Sequence, residues 1–158
     1  MKKLLASLVI AMTVFACASP PSLMVYSSGF SFANYDYVVI GKSEGGNTNT
    51  TLYGMDVEFA NLMSRFNMRV IGDKEYGTLS PEVQKRTLNA RMSVNATGNR
   101  IVLSISFDDA VSGRTGASIT NHTDGDIFDV DDRVVAFESA SETMIMAIEK
   151  DKGLKISR

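Results

Sequence analysis

The stretch Ile101–Asp108, with the sequence IVLSISFD, decides the fold. Its odd positions carry Ile, Leu, Ile and Phe, whereas its even positions carry Val, Ser, Ser and Asp. Alternation with a period of two predicts a β-strand with one buried face. Residues Met92–Ala96 alternate in the same way, and Gly98-Asn99 between the two segments suits a tight hairpin turn. The sequence therefore predicts an antiparallel pair of strands.

A third strand is expected directly after this pair. Asp108–Arg114 reverses the chain, and Thr115–Asn121 returns as a strand. In the reversal, Asp109, Ser112 and Gly113 have a structural role, because short polar side chains bond the turn backbone and glycine adopts a positive φ. We expect Thr115–Asn121 to form an edge of the sheet, where its backbone groups are open to another chain.

The residues before this hairpin predict a β-α-β unit. Tyr35–Ile40 is a run of β-branched and aromatic residues, typical of a buried strand, and the loop Gly41–Thr51 follows it. Apolar residues recur at helical spacing in Met55–Phe66, which predicts an amphipathic helix. Arg69–Ile71 then forms a short strand, so the helix connects two strands that we expect to be parallel.

Two further helices complete the expected fold. Ser80 and Pro81 begin a helix that should end within Asn89–Arg91. The last helix spans Arg133–Lys150, and Gly153 follows it as a stop signal. The predicted fold class is α/β (α+β), a single two-layer or three-layer-like domain with a mixed sheet of about four to five strands and about three helices. The predicted order is β-α-β-α-β-β-β-α.

This order of elements resembles a group of small envelope proteins. The entry Phe30–Tyr35 into the first strand and the hairpin with Asp109, Ser112 and Gly113 are similar to α/β domains of envelope lipoproteins. Examples are the curli-secretion lipoprotein type, the amino-terminal domain of the TolB type and uncharacterised envelope lipoproteins. The resemblance covers most of Gly29–Lys150 and implies an α/β fold.

The amino terminus has the layout of a secretory leader. Lys2 and Lys3 precede the apolar run Leu4–Phe15, and small residues follow it. This run is too short to span a bilayer, which takes about 20 apolar residues. We therefore predict that residues 1–16 are a signal peptide that is removed. A core helix over Leu4–Phe15 is the structural alternative.

The end of the leader resembles a bacterial lipobox. In Val14-Phe15-Ala16-Cys17, an aliphatic and a small residue come before the only cysteine of the chain. The resemblance implies that Cys17 receives a diacylglycerol and becomes the first residue of the mature, palmitate-bearing lipoprotein. Ala18 follows it rather than Asp, and by the same resemblance this implies sorting to the outer membrane. Ordinary cleavage after Ala18, which would release a soluble protein, stays open as the alternative.

The leader sets the expected domain boundaries. Residues 17–28 are small, polar and rich in proline, and they predict a lipidated tether before a single α/β domain at 29–158. Within the tether, Leu23–Tyr26 could instead be a short edge strand.

Length and charge exclude several classes of protein. The chain has 158 residues, so removal of residues 1–16 leaves 142, the size of one ordinary domain. Without Lys2 and Lys3, 14 basic residues face 18 acidic ones, for a net charge of −4. A mildly acidic chain without basic runs is a poor candidate for binding nucleic acid. With one cysteine, no disulfide forms within the chain.

The most charged patch of the sequence lies before the last helix. Asp124, Asp126 and Asp129 are weak candidates for a calcium site, because calcium prefers carboxylate oxygens. The spacing does not match an EF-hand loop, and the simpler interpretation is that Asp131 or Asp132 caps the last helix. We therefore assign no metal site and no cofactor. The sole histidine, His122, is expected in a polar loop, where it would be solvated.

No motif in the sequence predicts catalysis. Gly41-Lys42-Ser43 lacks the upstream glycine of a phosphate-binding loop, since position 36 is Asp. We therefore predict a protein that is not an enzyme, anchored by lipid at Cys17 in the outer membrane and facing the periplasm. Its expected role is structural, in assembly or in protein interaction, with a protein partner or its own copies. The alternative is a small-ligand or calcium-binding periplasmic module.

Overall fold

A computed structural model describes residues 22–41 and 55–154 of the chain. Its centre is a mixed sheet of six strands in the spatial order β1-β6-β5-β4-β2-β3. In chain order the strands are β1 (Leu23–Tyr26), β2 (Tyr37–Ile40), β3 (Arg69–Ile71), β4 (Thr87–Thr97), β5 (Arg100–Asp109) and β6 (Thr115–Asp124).

Four α-helices and one short 3₁₀ helix accompany the sheet in the described part of the chain. Two of the α-helices are long, and the other two are single turns in the connection from β3 to β4. In chain order they are the 3₁₀ helix (Phe32–Asn34), α1 (Met55–Arg65), α2 (Asp73–Tyr76), α3 (Pro81–Gln84) and α4 (Val130–Lys152).

The pairing of the strands follows the predicted pattern. β4 and β5 are antiparallel and are joined by a turn in which Gly98 has a φ of 64°. β5 and β6 are also antiparallel, whereas β2 lies between β3 and β4 and is parallel to both. The β-α-β unit made of β2, α1 and β3 is therefore confirmed as a parallel pair with a helical connection.

One face of the sheet forms the core. The odd positions Ile101–Phe107 of β5 are buried, and they face the long helices α1 and α4. From α1 the core takes Phe59, whose ring lies 6.2 Å from that of Phe107. From α4 it takes Met144 and Ile148, both fully buried. The predicted α/β class with a mixed sheet is thus confirmed, and the helices that build the core lie in one layer.

Two elements differ from the prediction. Leu23–Tyr26 is not part of a tether, because it pairs with β6 along its whole length and extends the sheet to six strands. The helix that begins at Pro81 ends after one turn, and the residues expected in its last two turns belong to β4, which starts at Thr87. Leu88 is buried as a strand residue between Val38 of β2 and Asp109 of β5.

The predicted sheet edge was also wrong. β6 was expected at the edge, but it lies between β1 and β5 and has partners on both sides. The edges of the described sheet are β1 and β3. His122, expected in a loop, is an exposed residue of β6 opposite Val102.

The last helix is longer than expected and begins at a different cap. The side chain of Asp129 accepts hydrogen bonds from the backbone N–H groups of Asp131 and Asp132, at 2.8 and 3.4 Å. Asp131 and Asp132 are therefore first-turn residues rather than caps. At the other end Gly153 adopts a left-handed φ of 65°, as its position after the helix predicts. Among the described helices, none is long and apolar enough to cross a membrane.

Candidate functional site

The outer edge of β1 is the most unusual surface of the domain. The strand has the sequence LMVY, without a charge or a proline, and within residues 22–41 and 55–154 no strand pairs with its outer side. Leu23 is 70% exposed and Val25 is 56% exposed. Soluble proteins usually protect such an edge with charges, prolines or bulges. β1 has none of these, which makes it a candidate surface for another chain.

Aromatic packing holds β1 on the domain. The ring of Tyr26 lies 6.3 Å from the rings of both Phe30 and Phe32. Phe32 is fully buried and contacts Phe107 of β5 edge-on, with 5.0 Å between the ring centres. At the end of α4, the Asp151 carboxylate accepts hydrogen bonds from the Phe32 backbone and the Ser31 hydroxyl. The segment after β1 is thus fixed to both the sheet and α4.

The second candidate surface is the sheet face opposite the core. It carries short hydroxyl side chains on three adjacent strands, where Ser104 of β5 lies opposite Ser93 of β4 and Thr120 of β6. The hydroxyls of Ser104 and Thr120 are 3.3 Å apart. A shallow depression of about 250 Å³ lies over this face. Its lining includes Arg91, Ser93, Ser104, Ser106, Ser118 and Thr120.

One residue of this lining, Arg91, is held in an ion pair. The Arg91 guanidinium bonds the Asp108 carboxylate, whose side chain is only 4% exposed. The Thr115 hydroxyl donates to the same carboxylate at 2.7 Å. Because the charge of Arg91 is matched by Asp108, the depression offers hydroxyl groups and a neutralised cation rather than a free positive charge.

A groove of about 260 Å³ lies between α1 and α4 on the helical side. Leu62, Phe137 and Ile145 supply its apolar lining, and Glu58, Arg65 and Glu138 supply charged groups. The hydroxyl of Ser141 belongs to this lining and is buried, with no hydrogen-bond partner among the described residues. The groove is therefore an apolar recess that also carries charged groups.

The aspartates before α4 do not converge. Asp124 pairs with Arg100 of β5 at 2.9 Å, and Asp126 accepts from the Phe128 backbone N–H at 2.9 Å. Asp129 caps α4. Calcium takes six to eight oxygen ligands around one point. No group of three or more His, Cys, Asp or Glu side chains in the described part of the chain is arranged to hold a metal ion.

The hairpin between β5 and β6 has the structural role that its residues predict. The Asp109 carboxylate accepts from the Ser112 backbone N–H at 2.7 Å, and Gly113 has a φ of 68°. The same carboxylate accepts from the Tyr35 hydroxyl at 3.1 Å. Burial and this bonded carboxylate together raise the pKa of Tyr35 to about 12. Burial opposes ionisation of Asp109, but the bonds from Ser112 and Tyr35 lower its pKa overall.

Other predicted features lie outside the described residues. These are the leader 1–16, Cys17 and the loop Gly41–Thr51 apart from Gly41 itself. Among the described residues, the sequence does not decide between a tether and a strand for Leu23–Tyr26. Its signal was a run of apolar residues bounded by Pro21 and Ser27, which is typical of a strand, but the small polar residues around it favoured a tether.

Comparison with known proteins gives a fold and no family. No protein-family model matches the chain, and no curated protein matches it in sequence. Among solved structures, the PelC L103M dodecamer from Paraburkholderia phytofirmans is similar, with a TM-score of 0.53 and 15% identity over 77% of this chain and 96% of that chain. A second PelC dodecamer from the same organism gives 0.51 and 16% over 78% and 94%.

A third solved structure is the putative neuraminyllactose-binding hemagglutinin homolog from Helicobacter pylori. Its TM-score is 0.43, with 13% identity over 80% of this chain and 89% of that chain. At the identity of the PelC structures, the likeness shows that this chain shares their fold.

Proposed function

We propose that this chain is a lipid-anchored protein of the bacterial cell envelope with a structural or assembly role. In this proposal Cys17 carries the lipid, the outer membrane holds the anchor, and the domain faces the periplasm. The chain acts by contacting protein partners, including its own copies. The observation that carries the proposal is the outer edge of β1, which no described strand covers, because an uncovered strand is a template for another chain.

The position of the anchor favours contacts through this edge. Cys17 precedes Ser22 by five residues, and five residues span at most roughly 18 Å. A lipid on Cys17 therefore holds β1 close to the membrane, at a similar height in every copy. Tethering to one membrane raises the local concentration of copies, so that an edge contact too weak for dilute solution becomes populated.

The similarity to PelC supports self-association as one form of this contact. Both similar PelC structures are dodecamers, so a chain of this fold assembles with its own copies in at least one other protein. The number of copies is not carried over at 15–16% identity.

The anchor is tested by changing its thiol. In Cys17→Ser we expect labelled palmitate to be lost and a precursor that keeps Leu4–Phe15 to accumulate. Wild-type protein should sediment with the outer membrane. Equal labelling of variant and wild type, or wild-type protein in the inner membrane, would contradict the anchored form of the proposal.

The contact itself is tested on the membrane-bound protein. Amine-reactive cross-linking in cells should trap copies of the chain or a partner, and Val25→Lys should reduce the trapped product because it places a charge on the free edge. Val111→Lys is the matched control, since Val111 is 57% exposed and lies in the turn between β5 and β6 rather than on β1. A wild-type chain that is trapped with nothing would overturn the proposed role.

The hydroxyl-lined depression favours one other function, the binding of a small polar ligand. Convergent polar groups in a concave site are the usual sign of such a site. A panel of sugars and other neutral polar molecules, screened by thermal shift, tests it. A rise in melting temperature that is lost in Ser104→Val supports this second function, and no rise across the panel counts against it.

A further inference from the structure

The pairing of β1 with β6 determines which backbone groups of β1 point to its outer side. The Ser27 N–H donates to the Gly116 carbonyl at 2.8 Å, which makes Ser27 and Gly116 a hydrogen-bonded pair of the antiparallel ladder. Such pairs alternate along the strand, so Val25 and Leu23 also bond β6. Met24 and Tyr26 therefore point their N–H and C=O groups outward, with no described partner.

The side chains next to this edge are apolar on both faces. Leu23 and Val25 lie opposite Thr120 and Ser118, so they stand on the open sheet face. Met24 points to the other face, where it packs against the core. A partner that fits the edge must thus supply an extended backbone and apolar side chains on the open face.

A second copy of β1 meets these requirements better than the other sheet edge does. β3 has only three residues, and its exposed Arg69 is paired with Glu75 at 3.1 Å beside the strand. Charges at an edge discourage strand addition. Pairing of β1 with β1 is also isologous, so it closes on itself as a dimer, the commonest symmetry of soluble oligomers.

Of the antiparallel registers compatible with the outward groups of Met24 and Tyr26, two pair three of the four residues of β1 with β1 of the second copy. In one, Met24 lies opposite Met24 of the second copy, and Leu23 lies opposite Val25 of the second copy. In the other, Val25 lies opposite Val25 of the second copy, and Leu23 lies opposite Ser27 of the second copy. The first register buries both exposed apolar side chains against each other, which favours it because apolar burial is the main driving force of association.

We propose that β1 of one copy pairs antiparallel with β1 of a second copy, with Leu23 of each opposite Val25 of the other. The pairing joins the two sheets into one and makes their hydroxyl-lined faces continuous. This inference rests on the proposed function, and it names the partner and the register. The contact is small, so we expect it to be weak in solution and stronger on a membrane.

Disulfide trapping tests the partner and the register together. Directly opposed residues of a non-hydrogen-bonded pair have Cα atoms about 4.5 Å apart, within the range of about 4.4–6.8 Å that a disulfide needs. Cys17 is the only native cysteine, and in the proposed function the lipid blocks its thiol, so we would keep it and express Leu23→Cys and Val25→Cys with different tags in the same cells. Both sites are exposed, so the variants should fold, and circular dichroism checks this.

Mild oxidation of membranes that hold both variants should give a heterodimer that carries both tags. Its yield should exceed that of Asn95→Cys, an exposed cysteine away from the edge, by about tenfold because pairing supplies a high effective concentration of the second thiol. Each variant alone should give no more dimer than Asn95→Cys. Strong dimer from Val25→Cys alone would overturn the proposed register.

The outcomes also separate this inference from the proposed function. If cross-linking in cells traps assemblies of the wild-type chain but no β1 disulfide forms above the Asn95→Cys level, the pairing of β1 with β1 is wrong and the assembly role stands. If wild-type protein is trapped with nothing, the role itself fails.

Discussion

The Tyr35 hydroxyl donates a hydrogen bond of 3.1 Å to the carboxylate of Asp109, and this bond joins the entry of the first parallel strand to the hairpin between β5 and β6. The ring of Tyr35 stacks on Phe30 with 5.5 Å between centres. Tyr35 and Asp109 are 74 positions apart in the chain, so the bond connects the segment that follows β1 to a distant hairpin.

Removal of this bond should weaken the domain by a measurable amount. We expect Tyr35→Phe to lower the free energy of unfolding by about 1–2 kcal/mol, because a hydrogen bond to a charged acceptor is lost while the ring remains. Urea denaturation measures the change. Tyr37→Phe is the matched control, since no described group bonds the Tyr37 hydroxyl, and an equal loss in both variants would contradict the assigned role.

The same residue predicts a pH dependence of stability. The pKa of Tyr35 is raised to about 12 in the folded chain, against about 10 for an unfolded tyrosine. The folded state therefore binds this proton more tightly, so its contribution is complete below pH 10 and disappears as the pH rises towards 12. We expect the urea midpoint of the wild type to fall more steeply than that of Tyr35→Phe across this interval, and parallel curves would refute the assignment.

A side chain at position 116 should clash with Phe30 and disturb β1. A Cβ at this position would lie 2.0 Å from the ring of Phe30, which Phe32 and Tyr35 hold in place. We expect Gly116→Ala to lower stability by about 1–3 kcal/mol, the usual effect of overpacking, and to loosen β1 in hydrogen exchange. Gly77→Ala has open space around its Cβ and serves as the neutral control.

A double variant checks that Phe30 is the cause. If the clash with its ring explains the loss, the effects of Gly116→Ala and Phe30→Ala should not add, because removal of the ring makes room for the methyl group. Full additivity would indicate another origin.

The elements that the sequence predicted well are those with strong periodicity. The hairpin of β4 and β5, the amphipathic α1 and the last helix were all visible in the spacing of apolar residues, and Gly98, Gly113 and Gly153 occupy the predicted turn and cap positions. In these segments local pattern and tertiary burial agree, which is why a single sequence suffices.

The missed elements depend on neighbours far along the chain. β1 has only four residues, and it is a strand because β6 pairs with it and the aromatic rings of Phe30 and Phe32 pack beside it. The local pattern predicts the end of a helix over Thr87–Arg91, but these residues pair with β2 and β5 and belong to the sheet. Because the local pattern does not place β1 beside β6, it predicts β6 as the edge and the candidate interaction surface one strand too far inward.

The cap of α4 gives a further prediction. Asp129→Ala removes the acceptor for the first backbone N–H groups of the helix and should lower stability by about 1 kcal/mol. Asp129→Asn keeps an acceptor and should lower stability by less than Asp129→Ala does. Asp131→Ala changes only a first-turn charge, so it too should lower stability by less than Asp129→Ala does in the same thermal denaturation series. A larger effect at Asp131 than at Asp129 would argue that the cap is misassigned.

Calcium should have little effect on this domain. The carboxylates of Asp124, Asp126 and Asp129 bond Arg100, a loop N–H and the start of α4, respectively, so they are directed to different groups rather than to one point. A ligand stabilises a protein only if it binds the folded state more tightly than the unfolded one. We therefore expect millimolar calcium to leave the melting temperature unchanged within about one degree. Magnesium at the same ionic strength is the control for screening, and a rise of several degrees that is specific to calcium and lost in Asp124→Ala with Asp126→Ala would establish a metal site at this cluster.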